Sequence, residues 1–233
     1  MIPLRDANPT RRTPVLTLAL IALCSVAFGI ELVVLAQGGL DGLNRFIDTR
    51  GSVPEDIVGA LGRGDLLSEP ILDVLTSMFL HASWVHLLGN LLFLWIFGNA
   101  VEDRMGRVRF LLVYLAGGVA ADAAQVLSDP ASAVPMIGAS GAISAVLGAY
   151  LVLFPRARIQ SLVFLGFFYQ LIAVPAVIVL GYWFLLQVAD GIGSLGATSG
   201  VDGGVAVFAH IGGFVAGLLL ALPFRLRPRS RVG

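Results

Sequence analysis

The chain has 233 residues, of which 57% are hydrophobic and only 13% charged, with no net charge. Soluble domains carry about 45–50% apolar and about 25% charged residues, so this composition excludes an ordinary water-soluble domain and describes a polytopic membrane protein. A neutral balance makes nucleic acid an unsuitable partner, and the single cysteine, Cys24, sits inside an apolar run where it packs and has no second cysteine to pair with. Three histidines without clustered carboxylates argue against a metal site, and no cofactor motif is present.

Residues 1–14 are polar, with Arg5, Arg11 and Arg12, and are expected to form a tail. The first span is expected over 15–36 and is too long for a signal-peptide core. Glu31, near its far end, is expected to reach the interface or a neighbouring helix. Residues 37–84 are a long, mostly acidic connection whose apolar patches are shorter than a span; a connection of that length is often functional. His81-Ala-Ser-Trp-Val-His86-Leu-Leu-Gly-Asn90 leads into the second span, ending near Asn99. His86 and Asn90 are four residues apart and so share a helix face. In the charged turn 102–109, Asp103 and Arg107 have the spacing of a helical ion pair. A third span follows over about 110–127 and contains Asp122, read as a contact between helices.

The fourth span starts at Ser140 and stops at Phe154, short of the roughly 20 residues that a crossing needs, which sets Ser140 in a recess. Pro175 divides residues 161–189, so 161–173 are expected to lie on the surface or form a kinked helix, with most of the fifth span over 176–189. A glycine-rich loop over 190–204, a plausible lid, precedes the sixth span at 205–224, and arginines close the chain over 225–233. Six spans place twelve of the fifteen arginines on one side, so both termini are expected in the cytoplasm.

In that topology spans two, four and six all begin on the external side. His86 and Asn90, Ser140, and His210 each lie near the start of one of them, so three segments deliver polar residues to one depth. Imidazoles are costly in hydrocarbon, and their convergence reads as a site. A serine with a histidine as base is the minimum for nucleophilic acyl transfer. No carboxylate is an obvious third member; Asp122, Asp190 and Asp202 are remote candidates, which favours a Ser–His dyad. Asn90 and His86 can donate to a developing oxyanion, as can the Ser140 N–H at a helix start. Gly138 and Gly141 allow the backbone to come close to a scissile carbonyl. Gly213 and Gly217, on the face of His210, let the fourth and sixth helices touch.

Gly138-Ala-Ser140-Gly141 with Ala209-His210-Ile-Gly-Gly213, preceded by His81-x4-His86-x3-Asn90, resembles the rhomboid intramembrane serine proteases over about residues 15–224. The resemblance implies an all-α, six-transmembrane-helix bundle in a membrane of the bacterial plasma-membrane type. It implies cleavage of the transmembrane segments of other membrane proteins near the outer face. By that match Ser140 is nucleophile and His210 general base, with Asn90 and His86 in the oxyanion hole. Two departures stand out. Ser144 occupies the position where some relatives carry a tyrosine that stacks on the histidine, and residues 37–84 lack the Trp-Arg pair of many members. A pseudoprotease that escorts client helices is the alternative reading.

Overall fold

The computed structural model describes residues 1–8, 10–165, 168–194 and 206–225. In chain order these form β1 (Ile2–Asp6), α1 (Val15–Arg50), α2 (Pro54–Gly62), α3 (Glu69–Thr76), α4 (Trp84–Phe93), α5 (Asn99–Met105), α6 (Arg107–Ser128), α7 (Ser140–Leu153), β2 (Arg158–Leu165), β3 (Phe168–Pro175), α8 (Ala176–Ser194) and α9 (Val207–Ala221). A turn of π-helix, Leu94–Gly98, joins α4 to α5 without a break. By length and composition four helical stretches can cross a membrane: Val15–Arg50, Trp84–Met105, Arg107–Ser128 and Val207–Phe224. Ser140–Leu153 and Ala176–Leu186 are apolar but shorter. The lid expected over 190–204 and the tail over 225–233 lie almost wholly outside the described residues.

The first span continues as helix well past residue 36, as far as Arg50, with a break at Gly39, whose φ of 62° is in the left-handed region. The expected long connection is therefore largely helical: the end of α1, then α2 and α3. A further correction concerns residues 161–173, expected as a surface-lying or kinked entry to the fifth span in an all-α protein. They lie within an antiparallel hairpin of β2 and β3, to which β1 adds a third strand, in the order β1-β2-β3. The reason is local. Ile159, Val163, Phe164, Phe168, Tyr169, Ile172 and Val174 are β-branched or aromatic, and Pro155 and Pro175 stop helix from entering on either side. The expected N-terminal tail thus contributes a strand.

The centre of the molecule is α7, with every residue from Ala142 to Tyr150 buried. Its neighbours α6 and α9 approach it through small residues. A methyl added to Gly213 would run into the Gly141 carbonyl oxygen; at Gly217 it would meet that of Ala145, and at Gly148 that of Phe214. Lipid gives apolar helices little reason to associate, so backbone contact of this kind supplies the packing attraction. The faces left outward, such as Leu23, Val26, Ile30 and Val33 of α1, are apolar and exposed.

At the end of the bundle opposite Ser140, Glu102 is 4% exposed and caps α1 from a distance. Its carboxylate accepts from the backbone N–H groups of Leu16 (3.0 Å) and Thr17 (2.8 Å) and from the Thr17 hydroxyl (2.8 Å). Pro14, at the N-cap of α1, supplies no side-chain cap, so this remote carboxylate satisfies donors left over at the helix start. The Asp103–Arg107 helical pair does not form in the expected register, because Gly106, with φ of 83°, separates α5 from α6. Asp103 instead accepts from the Arg12 backbone N–H at 3.1 Å.

Candidate active site

Ser140 is the first residue of α7, and the loop leading to it is fastened at several points. Ser52 and Met136 exchange backbone hydrogen bonds of 2.8 and 3.0 Å. The Ser52 hydroxyl donates to Asp122 of α6 at 2.5 Å, so Asp122 anchors this loop and is committed away from His210. Gly138 N–H donates to the Ser77 carbonyl at 2.9 Å. Gly138 itself has φ of 120°, and a Cβ there would lie 2.6 Å from the His86 ring. Both backbone and space demand glycine at this position, and the same closeness puts the His86 imidazole beside the backbone that presents Ser140.

His210 is in the first turn of α9 and 8% exposed. Its Nε2 is 2.8 Å from Ser140 Oγ, across 70 residues of sequence. With the imidazole proton on Nδ1, the serine hydroxyl donates to Nε2, which is the arrangement a general base requires. The α7–α9 backbone contacts hold these two helix starts together. Gln125 of α6 adds a tie through its Oε1, which accepts from Ala209 N–H at 3.2 Å.

His86 and Asn90 sit on α4, one turn apart. Ser83 caps that helix, its hydroxyl accepting from His86 N–H at 3.2 Å. The Asn90 Nδ2 is buried and has no hydrogen-bond partner. It would lie 3.7 Å from a Cβ on Gly138. An unpaired buried amide is costly, and this one leaves a donor beside Ser140 open to an incoming acceptor. Serine, histidine, His86 and Asn90 all line one open cavity of about 1050 Å³. His81 stands behind them: its ring meets His86 edge-on at 5.1 Å, its Nδ1–H donates to Phe79 O at 3.0 Å, and its backbone N–H donates to Glu31 at 2.8 Å. Glu31, expected at the interface or on a neighbouring helix, is 2% exposed and accepts instead from the loop just before α4.

Asp190's side chain and Asp202 lie outside the described residues. Ser144, at the position of the relatives' tyrosine, donates to the Ser140 carbonyl at 2.6 Å and does not cover the histidine. Trp183 of α8 does so instead, its ring 5.9 Å from that of His210 at an interplanar angle of 44°. Sequence reasoning missed this residue and Gln125, and placed Glu102 in a charged turn without naming its partner. A tryptophan in an apolar run gives no sign of its partner, whereas an amide and a carboxylate at the ends of spans were visible signals. Among the described residues no group of three or more His, Cys, Asp or Glu converges as a metal site would.

Residues 69–227 match the Rhomboid domain model. The chain is 37% identical over 150 residues to Rhomboid protease GluP of Bacillus subtilis, an alignment spanning 64% of this chain and 26% of that protein. Rhomboid-like protein 11, chloroplastic, of Arabidopsis thaliana is 33% identical over 151 residues, 62% of this chain and 49% of its own length. Rhomboid protein 1, mitochondrial, of Saccharomyces cerevisiae is 34% identical over 97 residues, 40% of this chain and 28% of its length. The matched part is therefore between about a quarter and a half of each of these relatives. With a family model covering more than half the chain and four helices long and apolar enough to cross a bilayer, this multi-pass membrane protein belongs to the rhomboid family.

Proposed function

We propose that the chain is an intramembrane serine endopeptidase that hydrolyses peptide bonds in or near transmembrane segments of other membrane proteins. Ser140 is the nucleophile and His210 the general base. The carrying observation is the 2.8 Å approach of His210 Nε2 to Ser140 Oγ beside a cavity that the unpartnered Asn90 amide also lines. Nε2 takes the hydroxyl proton as Oγ attacks the scissile carbonyl. The oxyanion that develops is met by Asn90 Nδ2, by a His86 ring N–H and by the Ser140 backbone N–H at the start of α7. His210 then returns the proton to the leaving amine, and water activated by the same imidazole hydrolyses the acyl-enzyme.

The membrane arrangement belongs to the same reading. Six spans comprise the four long helices and the two shorter ones, α7 and α8, in a membrane domain over 15–224 between an N-terminal segment, 1–14, and a basic tail, 225–233. The arginine distribution places both termini in the cytoplasm of a bacterial-type plasma membrane and the Ser140 end toward the external face. The short α7 leaves its first residue below the membrane surface, and the open cavity gives water and an unwound peptide access to it.

The test is cleavage of a transmembrane reporter by purified protein in vesicles, with fluorophosphonate labelling alongside. Ser140→Ala and His210→Ala should each lower cleavage by at least about 10⁴-fold while the protein stays folded. Ser140→Ala should also abolish labelling. Undiminished cleavage by the Ser140 variant refutes the assignment. Client binding with neither cleavage nor labelling of the unaltered protein would make it an escort.

A further inference from the structure

At the end of the bundle where Ser140 sits, one acid is placed against the local electrostatics. α6 ends at Ser128, and Asp129 is its C-cap. The residue is fixed by its backbone: Asp129 N–H donates to Gln125 O at 3.1 Å, and Asp129 O accepts from Ser132 N–H at 3.3 Å. The last turn of a helix carries the negative end of its dipole, so a carboxylate there is unfavourable and a cation is favoured. No basic residue lies in that last turn. Glu55 and Asp56, by contrast, occupy the first turn of α2, where acids stabilise a helix.

Asp129 is exposed, and among the described residues no donor or cation meets its carboxylate. The segment between 194 and 206 contains no lysine or arginine either. Asp129 lines the cavity that Ser140, His210 and Asn90 share, and apart from the two imidazoles it is the only ionisable side chain among the described lining residues. The cavity wall is graded along the bundle. Toward the interior it is apolar, with Phe93 and Leu147 two turns along α4 and α7 from His86 and Ser140. At the end of the bundle it is polar, with Gln125, Ser128, Asp129 and Ser132. A membrane-spanning peptide laid across Ser140 keeps its apolar part against the first wall and its extramembrane flank against the second.

We propose that Asp129 determines specificity, selecting membrane segments that carry lysine or arginine on the extramembrane flank of the cleaved bond. This role rests on the reading of the cavity as the site of peptide cleavage. The incoming cation supplies the partner that both the carboxylate and the end of α6 lack, and without it the carboxylate costs the fold some stability. The mostly acidic segment 37–84 adds attraction of the same sign: Glu55, exposed, is tied to the polar wall through its N–H, which donates to Ser132 O at 3.1 Å. Because the contact is open to water, one charge pair changes affinity only a few-fold and is screened by salt.

The test uses single-pass reporters that differ only in bearing lysine, glutamine or glutamate at successive positions of that flank. Their binding to the full-length Ser140→Ala chain is measured in vesicles of phosphatidylcholine, so that lipid charge does not discriminate among them. At the best position the lysine reporter should bind about threefold to fivefold more tightly than the glutamine one, and the glutamate reporter more weakly, with the gaps closing as salt is raised. Adding Asp129→Asn should remove the order and Asp129→Lys should reverse it, while the thermal midpoint of Asp129→Asn equals or exceeds that of the parent. The same order with and without Asp129, no binding of any reporter, or a marked fall in that midpoint overturns the proposal. Cleavage by the chain with Ser140 intact should follow the same order in kcat/KM. No cleavage, beside a binding order that depends on Asp129, would remove the protease assignment and leave this one standing.

Discussion

Two clusters of buried polar side chains, at opposite ends of the bundle, are treated differently by the fold. At one end both oxygens of Glu102 are engaged, holding the start of α1. At the other, Asn90 Nδ2 and His81 Nε2 are buried with no partner, next to the serine and histidine in contact. A polar group that completes its hydrogen bonds within the chain stabilises the fold; one left short of them stabilises whatever arrives to complete them. Glu31 Oε2, Asn99 Oδ1 and Tyr114 OH are also buried without a partner, so the unmet hydrogen bond singles out Asn90 only together with its place in the cavity beside Ser140.

Asn90→Ala should give the largest effect that sharpens this comparison: a fall in kcat of about 10²–10³-fold, about 2.7–4 kcal/mol, with thermal stability unchanged or slightly higher. A marked loss of stability would mean that the amide is structural after all. Glu102→Ala should do the converse, costing about 2–3 kcal/mol of stability by leaving buried donors unpaired. Fluorophosphonate labelling per folded molecule should persist; equal thermal midpoints of variant and parent would break the contrast from its other side. Trp183→Ala should slow cleavage by about fivefold to tenfold, an effect of about 1 kcal/mol typical of an aromatic contact, and Trp183→Phe should recover most of it.

The smallest effect is expected at Asp6, the last residue of the strand that the N-terminal segment adds to the sheet. Burial raises its carboxyl above the usual aspartate range, although hydrogen bonds from Asn8 N–H (2.9 Å) and Asn8 Nδ2 (3.4 Å) oppose this. The folded chain thus holds that proton more tightly than the unfolded chain. Its contribution is full below the unfolded pKa and is lost as pH rises through the folded one. Asp6→Asn should remove that dependence, so that the thermal midpoint no longer falls as pH rises through the raised titration of this carboxyl.

The site was more legible in the sequence than the fold around it. Ser140, His210, His86 and Asn90 stood out because polar and ionisable groups at the mouths of apolar runs are few and each has a high desolvation cost. Their mutual spacing also needed little tertiary knowledge: His86 and Asn90 are one turn apart, and the glycines on the His210 face forecast the close approach of α9 to α7. Hairpin 158–175 was less legible, because its apolar residues suit a buried helix as well as a strand, and β1, which completes the sheet, is more than 150 positions away.

The sequence by itself thus determined the membrane class, the positions of most apolar helices and the residues with chemistry to offer, all of which follow from local composition and helical period. Only the tertiary structure decided that Trp183 rather than residue 144 covers His210, that Glu102 caps α1 and that Asp122 serves Ser52. Each of those contacts joins segments distant in the chain, and the hydrogen-bonding capacity of a side chain says how many partners it needs but not which segment will bring them.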